Sequence, residues 1–292
     1  MKRLLPLLAA LLVLASVASL AQRSGRRGGG GWYGESFIPP GARTAREVES
    51  HSTGTPVWTN TPGFERDAFT FTRMKRDHRS YNIGRGDWST DCPDSDLNLS
   101  HRLQQMTSML VDPDGRLLDI DSPELFNYPW IYMVEVGNLV FRDEEVPIMR
   151  KYLLNGGFLM ADDFWGPNEW DNFEMEMKRV FPEPEYEFKE LELAHPLYRM
   201  VFPITEKGQV PNVRQGMRSE YDHVTWERED AREVHHRAIT DSKGRIMVLA
   251  THNTDNGDGW EHEGLNHYFF KNFSEKYSYP LGINIIVYTM TH

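Results

Sequence analysis

Three apolar stretches of the chain each run into a group that could do chemistry. Glu135 follows Trp130–Val134, Asp162-Asp163 follows Phe158–Ala161, and His252 lies just beyond Ile246–Ala250. If these stretches are neighbouring parallel strands, all three groups lie where open α/β sheets bind ligands, outside the carboxyl ends. Carboxylates beside an imidazole can hold a divalent ion or divide acid and base roles, so Asp162, Asp163 and His252 form a candidate catalytic set. Asp163, His252 and Asp255 would then be the metal ligands. A purely structural reading stands beside this one: Asp163 caps the next turn and Asp162 pairs with a basic neighbour. Consecutive strand residues point to opposite faces, so the two acids share a direction only if the strand ends between them.

The segment from His252 to His267 is dense in donors, with Asp255, Asp258, Glu261, His262 and His267. No register of it fits a calcium-binding loop, and it holds no H-E-x-x-H helix. It reads as a glycine-rich polar loop over a pocket, with Asp255 and Trp260 as ligand contacts. Arg73, at the end of the first strand, could hold an anion or pair with a buried Asp. His195-Pro196 opens a loop and offers a further ligand-binding histidine, while His235-His236 lies in a charged stretch expected to face solvent. With Glu135 and Asp163, these complete the candidate ligand-binding set. Nucleophile-elbow, P-loop and dinucleotide glycine patterns are absent from the sequence.

The elements needed to position these groups can be read from hydrophobic spacing. Phe69–Met74 alternates and predicts a strand, whereas Trp130–Val134 and Phe158–Ala161 are continuous apolar runs suited to strands buried on both faces. Leu99, Leu103, Met106 and Leu110 fall on one helical stripe, with Asp94 or Asp96 as its N-cap. Asp143-Glu144-Glu145 opens a helix that stops at Asn155-Gly156-Gly157, and Trp170, Phe173, Met177 and Val180 mark another. Leu281, Ile285 and Tyr288 predict a C-terminal helix behind Pro280. Strands alternating with helices imply an α/β protein with a mainly parallel sheet.

Composition sets outer bounds. The 292 residues carry 32 Lys and Arg against 43 Asp and Glu, a net charge of −11, which argues against a nucleic-acid footprint. The single cysteine, Cys92, excludes an intrachain disulfide framework and any Cys-rich metal cluster, and is expected to be a buried thiol, the alternative being an exposed one able to form a dimer bridge. A basic start, an apolar run from Leu4 to Val17 and Ser19-Leu20-Ala21 predict a signal peptide over residues 1–21 and export to the periplasm or beyond, the alternative being an N-terminal membrane anchor. After cleavage no membrane span is expected. Residues 22–66, rich in Gly, Pro and Arg, read as a flexible linker, and 67–292 as the folded domain.

Several motifs in order resemble the domain-of-unknown-function family 4159. They are Phe69-Thr70-Phe71-Thr72-Arg73, Asp96-Leu97-Asn98-Leu99, Phe126–Tyr132, Leu153–Asp163, His195-Pro196-Leu197 and Gly282–Tyr288. The resemblance implies a class I glutamine amidotransferase-like fold, a flavodoxin-like three-layer sandwich. It also implies a bacterial, exported or membrane-associated protein, with partners among membrane-bound von Willebrand-type and ATPase systems. By order along the chain, Asp162-Asp163 stands at the place of the amidotransferase cysteine, and His252 near the end of the strand bearing its histidine. Cys92 lies upstream in a loop, so glutamine hydrolysis by a thiolate is not expected. Where relatives have a Gly-His-Gly-like turn, this chain has Val134-Glu135-Val136-Gly137. Two functions are compatible with these residues: a non-catalytic module binding a small molecule or a protein without a cofactor, or a hydrolase in which a divalent metal assists Asp162, Asp163 and His252.

Overall fold

Residues 130–134 and 158–162 are bulky or apolar on both sides of the pleat, and only a sheet covered on both faces removes both sides from water. The computed structural model, which describes residues 37–63, 67–76 and 87–292, builds that sheet from seven strands. They are β1 (Thr72–Lys75), β2 (Arg116–Asp119), β3 (Trp130–Val134), β4 (Phe158–Asp162), β5 (Lys189–Glu190), β6 (His235–Thr240) and β7 (Ile246–His252). Their order is β2-β1-β3-β4-β7-β6-β5. Pairings from β2 to β7 are parallel, and β6 and β5 add antiparallel strands at one edge. Strand order reverses between β1 and β3, the kind of crevice in which such sheets bind ligands.

Among the described residues, six α-helices longer than one turn cover the sheet or border its carboxyl edge: α1 (Asp94–Met106), α2 (Glu145–Leu154), α3 (Gly166–Val180), α4 (Val213–Asp222), α5 (Asn256–Glu261) and α6 (Tyr279–Thr291). On one face Trp130, Tyr132, Phe158, Met160 and Leu249 meet Leu99 and Leu103 of α1, Trp260 of α5 and Ile285 of α6. On the other, Ile131, Met133, Leu159, Ala161, Val248 and Ala250 meet Met149 of α2 and Phe173 and Met177 of α3. Each fully buried side chain of this size contributes roughly 1.5–3 kcal/mol, which makes the sheet a rigid platform for its carboxyl ends.

Several boundaries differ from the sequence expectation. The first strand begins at Thr72, and Phe69 forms only an isolated bridge with Val111. Helix α1 stops at Met106, which is half exposed, and Asp94 and Asp96 lie inside its first turn behind Pro93. The C-terminal helix is present, preceded by a π-helical stretch, Phe270–Ser278. His236 is buried rather than solvent-facing, because β6 pairs with β7 and its ring meets Tyr198.

The largest revision concerns residues 37–63, which fell inside the expected linker. They lie against the domain, with Ala42, Ala45 and Val48 buried. The Leu117 amide donates to the Arg43 carbonyl at 2.8 Å, and the Arg46 guanidinium to the carbonyls of Pro113 and Pro56. These bonds and a small apolar cluster, in which Ala42 and Val48 meet Cys92 and Leu117, hold this segment, and its few apolar residues follow no helical or strand period that the sequence could show. The expected signal peptide and residues 22–36 and 64–66 lie outside the described residues.

Candidate functional site: an acidic edge of the sheet

Three neighbouring strands end alike. The residue after β3, Glu135, after β4, Asp163, and after β7, Asn253, has a left-handed backbone, with φ of 55°, 52° and 61°. Asp91, in the loop before α1, adopts φ 63°. Non-glycine residues in this region store strain, and such positions gather at functional sites. Here four of the five among the described residues line the carboxyl edge of one sheet.

Asp162, a candidate catalytic acid, accepts five bonds from Tyr132 Oη, Thr251 Oγ1, Asn256 Nδ2 and the amides of Asn256 and Gly257, at 2.5–3.1 Å. It anchors the first turn of α5 and leaves no free direction for a substrate. Arg73 is equally occupied: it is wholly buried, paired with Asp96, bonded to Ser95 Oγ and to the carbonyls of Trp88 and Thr90, and its guanidinium lies over the Tyr132 ring. Of its two sequence readings, the salt bridge to a buried Asp is the one observed. Arg73 thereby holds the loop that carries Asp91.

His252 is turned away from the acids. Its ring lies against Phe164 and Trp170, its Nε2 meets the Gly166 carbonyl at 3.0 Å, and burial lowers its pKa to about 4. Strand parity explains this, since Val248, Ala250 and His252 share the α3 face. The expected set Asp162, Asp163 and His252 is therefore not brought together. His195 is also remote in role: its Nδ1 accepts from the Leu197 amide and its ring meets Tyr288. Trp260 is a core residue with its ring beside Tyr132, and the expected loop around it is helix α5. Two acids fold that glycine-containing stretch: Asp255 accepts from the Asp258 amide as N-cap, and Asp162 accepts from the two amides at the helix start.

Asp163 and Asp255 remain, with Asp258 from the donor-dense segment, and the structure adds Asp91 and Glu227. Burial, and then Glu135, Glu227 and Asp91, push the Asp163 carboxyl well above the usual range, and its Oδ1 accepts from Trp165 Nε1 at 2.9 Å. Burial, then Asp163, Asp258 and Asp91, raise Asp255. Burial, then Asp258 and Glu261, raise Asp91. Glu227, which accepts from the Asn212 amide, is pushed by burial up to about 7. Among the described residues, no Lys or Arg forms an ion pair with Asp91, Asp163 or Asp255.

A second group of acids is compensated by two histidines. His51 bridges Asp94 at 3.4 Å and Glu261 at 3.0 Å, and His262 Nε2 bridges Glu261 at 3.1 Å and Asp258 at 3.5 Å. Burial opposes the charge on His262, but the Asp258 and Glu261 contacts raise its pKa to about 11, so it is an imidazolium. Glu261 is correspondingly held below the usual carboxylate range against its burial. Ser50 and Ser52 bond to Asp94 and His262 from the docked segment, which thus covers this side of the site. Sequence reading missed His51 and Asp91 because neither sits on a periodic element. The one local signal was an Asp just before a helix, a residue type that tolerates left-handed backbone.

Together these features define an α/β protein with a mostly parallel seven-stranded sheet and an acid-lined carboxyl edge. The sequence pattern of the family described as Domain of unknown function (DUF4159) matches residues 71–290, and the chain belongs to that family. No curated protein matches the chain significantly.

Proposed function

We propose that this chain is an exported binding module built on a flavodoxin-like, class I glutamine amidotransferase-like sandwich, and that the ligand it takes at the sheet edge carries positive charge. The observation that carries this reading is a group of buried acids at one sheet edge, in which Asp91 and Asp255 have carboxylate oxygens within 4.8 Å of each other and Asp163 raises the Asp255 pKa, none of the three ion-paired with a Lys or Arg among the described residues. Buried carboxylates in such proximity are stabilised either by holding protons or by a cation that replaces them. Glutamine hydrolysis has no support: an acid, Asp163, follows β4 directly, and Cys92 is a wholly buried thiol whose pKa burial raises. The hydrolase reading loses its histidine, because His252 bonds to Gly166 on the α3 face. A protein partner, such as a membrane-bound von Willebrand-type or ATPase component, would present its charge as Lys or Arg.

The test is thermal unfolding of chelator-treated protein against Ca²⁺, Mg²⁺, Mn²⁺, Zn²⁺ and the diamine putrescine. A ligand at 100 times its dissociation constant adds about 2.7 kcal/mol. For a domain this size that is roughly 5–10 °C. At least one cation is expected to give such a shift, reduced in Asp163→Asn. No shift with any cation, metal or amine, would overturn the reading.

A further inference from the structure

We infer that Asp91, Asp255 and Asp258 form a site for one hard divalent cation of the Ca²⁺, Mg²⁺ or Mn²⁺ class, an inference that rests on the cationic-ligand reading above. One carboxylate oxygen from each lies within 4.8 Å of the others, a spacing that a single ion can bridge. The three residues are 6%, 4% and 7% exposed. Asp91 Oδ2 is buried and has no hydrogen-bond partner, which leaves a lone carboxylate oxygen inside the cluster. A buried acceptor in that state costs free energy that a cation would recover.

Each donor is held by a rigid element. The Asp91 carbonyl accepts from the Ser95 amide at the start of α1, and Arg73 clamps the carbonyl of the residue before it. Asp255 caps α5 while its own amide donates to Val210, and Asp258 lies one turn into that helix, with its carboxylate accepting from the Val213 amide. Gly257 makes the approach possible: a Cβ there would stand 2.2 Å from Asp91 Oδ2 and 3.1 Å from Tyr132 Oη. An all-oxygen donor set favours hard cations and leaves the remaining coordination positions to water or to a ligand. Two other donor groups, His51–Asp94–Glu261 and Asp258–Glu261–His262, are geometrically as close. Their imidazoles already bridge carboxylates as ion pairs; Asp258 is shared with the second of these groups, its Oδ1 lying 3.5 Å from His262 Nε2, so the inferred site joins one partly compensated acid to two, Asp91 and Asp255, that no histidine bridges.

Calorimetric titration of chelator-treated protein with Ca²⁺, Mg²⁺ and Mn²⁺ tests the inference. One of these ions should bind at one per chain, and Asp91→Asn and Asp255→Asn should each weaken it at least tenfold. Asp94→Asn, on the histidine-bridged side, should leave the affinity within about twofold. Circular dichroism establishes that each variant folds. A measurement on the unmutated chain guards against variants that do not: Tb³⁺ should show luminescence sensitised by Tyr132, whose Oη borders the same Gly257 position as Asp91 Oδ2, and the chosen ion should displace it. Absence of saturable binding by any of the three ions, or binding unchanged in both Asn variants, overturns the site. Stabilisation by putrescine without metal binding overturns this inference and leaves the cationic-ligand reading standing. No response to amine or metal ends both.

Discussion

Two sets of buried carboxylates share the carboxyl edge of the sheet and differ in what surrounds them. Asp96 has the Arg73 guanidinium, and Asp162 has five donors from β3, β7 and α5. Asp91, Asp163 and Asp255 lie chiefly among other acids: Asp258 and Glu261 beside Asp91, Glu135 and Glu227 beside Asp163, and Asp163 and Asp258 beside Asp255. Burial alone does not mark a functional acid, since all five are nearly inaccessible. What separates the sets is compensation. A carboxylate whose lone pairs are matched from within the chain is part of the framework, and one left facing its own kind is open to something from outside.

The largest effect that would break this contrast comes from the compensated set. Arg73→Met strands Asp96 in the core and should cost about 3–5 kcal/mol in urea unfolding. A loss below about 1 kcal/mol would show that Asp96 does not depend on its partner. Asp162→Ala removes the acceptor of five donors, of which Thr251 Oγ1 keeps the Ala161 carbonyl, and should cost about 3 kcal/mol, whereas Asp163→Asn should change stability by less than about 1 kcal/mol. Equal losses at the two adjacent acids would erase the distinction.

His252 sharpens the comparison from the other face, because there burial, helped by the neighbouring Arg237, acts on an imidazole bonded to the Gly166 carbonyl. Its folded pKa of about 4 lies below the ordinary 6.5, so the folded state disfavours the proton. Stability contributed by neutral His252 is complete above pH 6.5 and is lost as pH falls towards 4, by about 2–3 kcal/mol. Unfolding at pH 7 and pH 4.5 should show that slope, and His252→Gln should flatten it. The smallest effect concerns Asp91. Its raised pKa means that an ionised carboxylate there penalises the folded state at neutral pH, so Asp91→Asn should stabilise metal-free protein by about 1 kcal/mol. Destabilisation by that change would mean that Asp91 already has a compensating partner.

The elements that carry β3, β4, α2 and α3 were legible because continuous apolar runs and helical stripes record burial directly. Strand β2 was not, since only Leu117 and Leu118 of its four residues are apolar, and β6 was hidden by its two histidines and an arginine. Helix α5 read as a loop because Asn256, Gly257 and Gly259 are poor helix formers, and the acids that cap it include one from β4, distant in sequence. Asp163 and Asp255 were visible as strand-end and loop acids. That His252 faces the other way was readable only once the strand was known to run to its end without a break. His51 and Asp91 reach the site through the docked segment and the Arg73 clamp, which are long-range facts with no local sequence signature.

The two borders of the sheet also constrain how another protein could attach. Beside β2, the Leu117 amide is taken by the Arg43 carbonyl and Lys75 bonds to Ala42, so that border already has a covering strand of chain. At the opposite border β5 is only two residues long, exposed and charged, with Lys189 and Glu190. Among the described residues, both borders are therefore short, one partly covered and the other charged, which disfavours sheet extension by an incoming peptide. A polypeptide recognised by this domain would have to be read through side chains and loops, which assigns selectivity to charge and shape instead of backbone pairing.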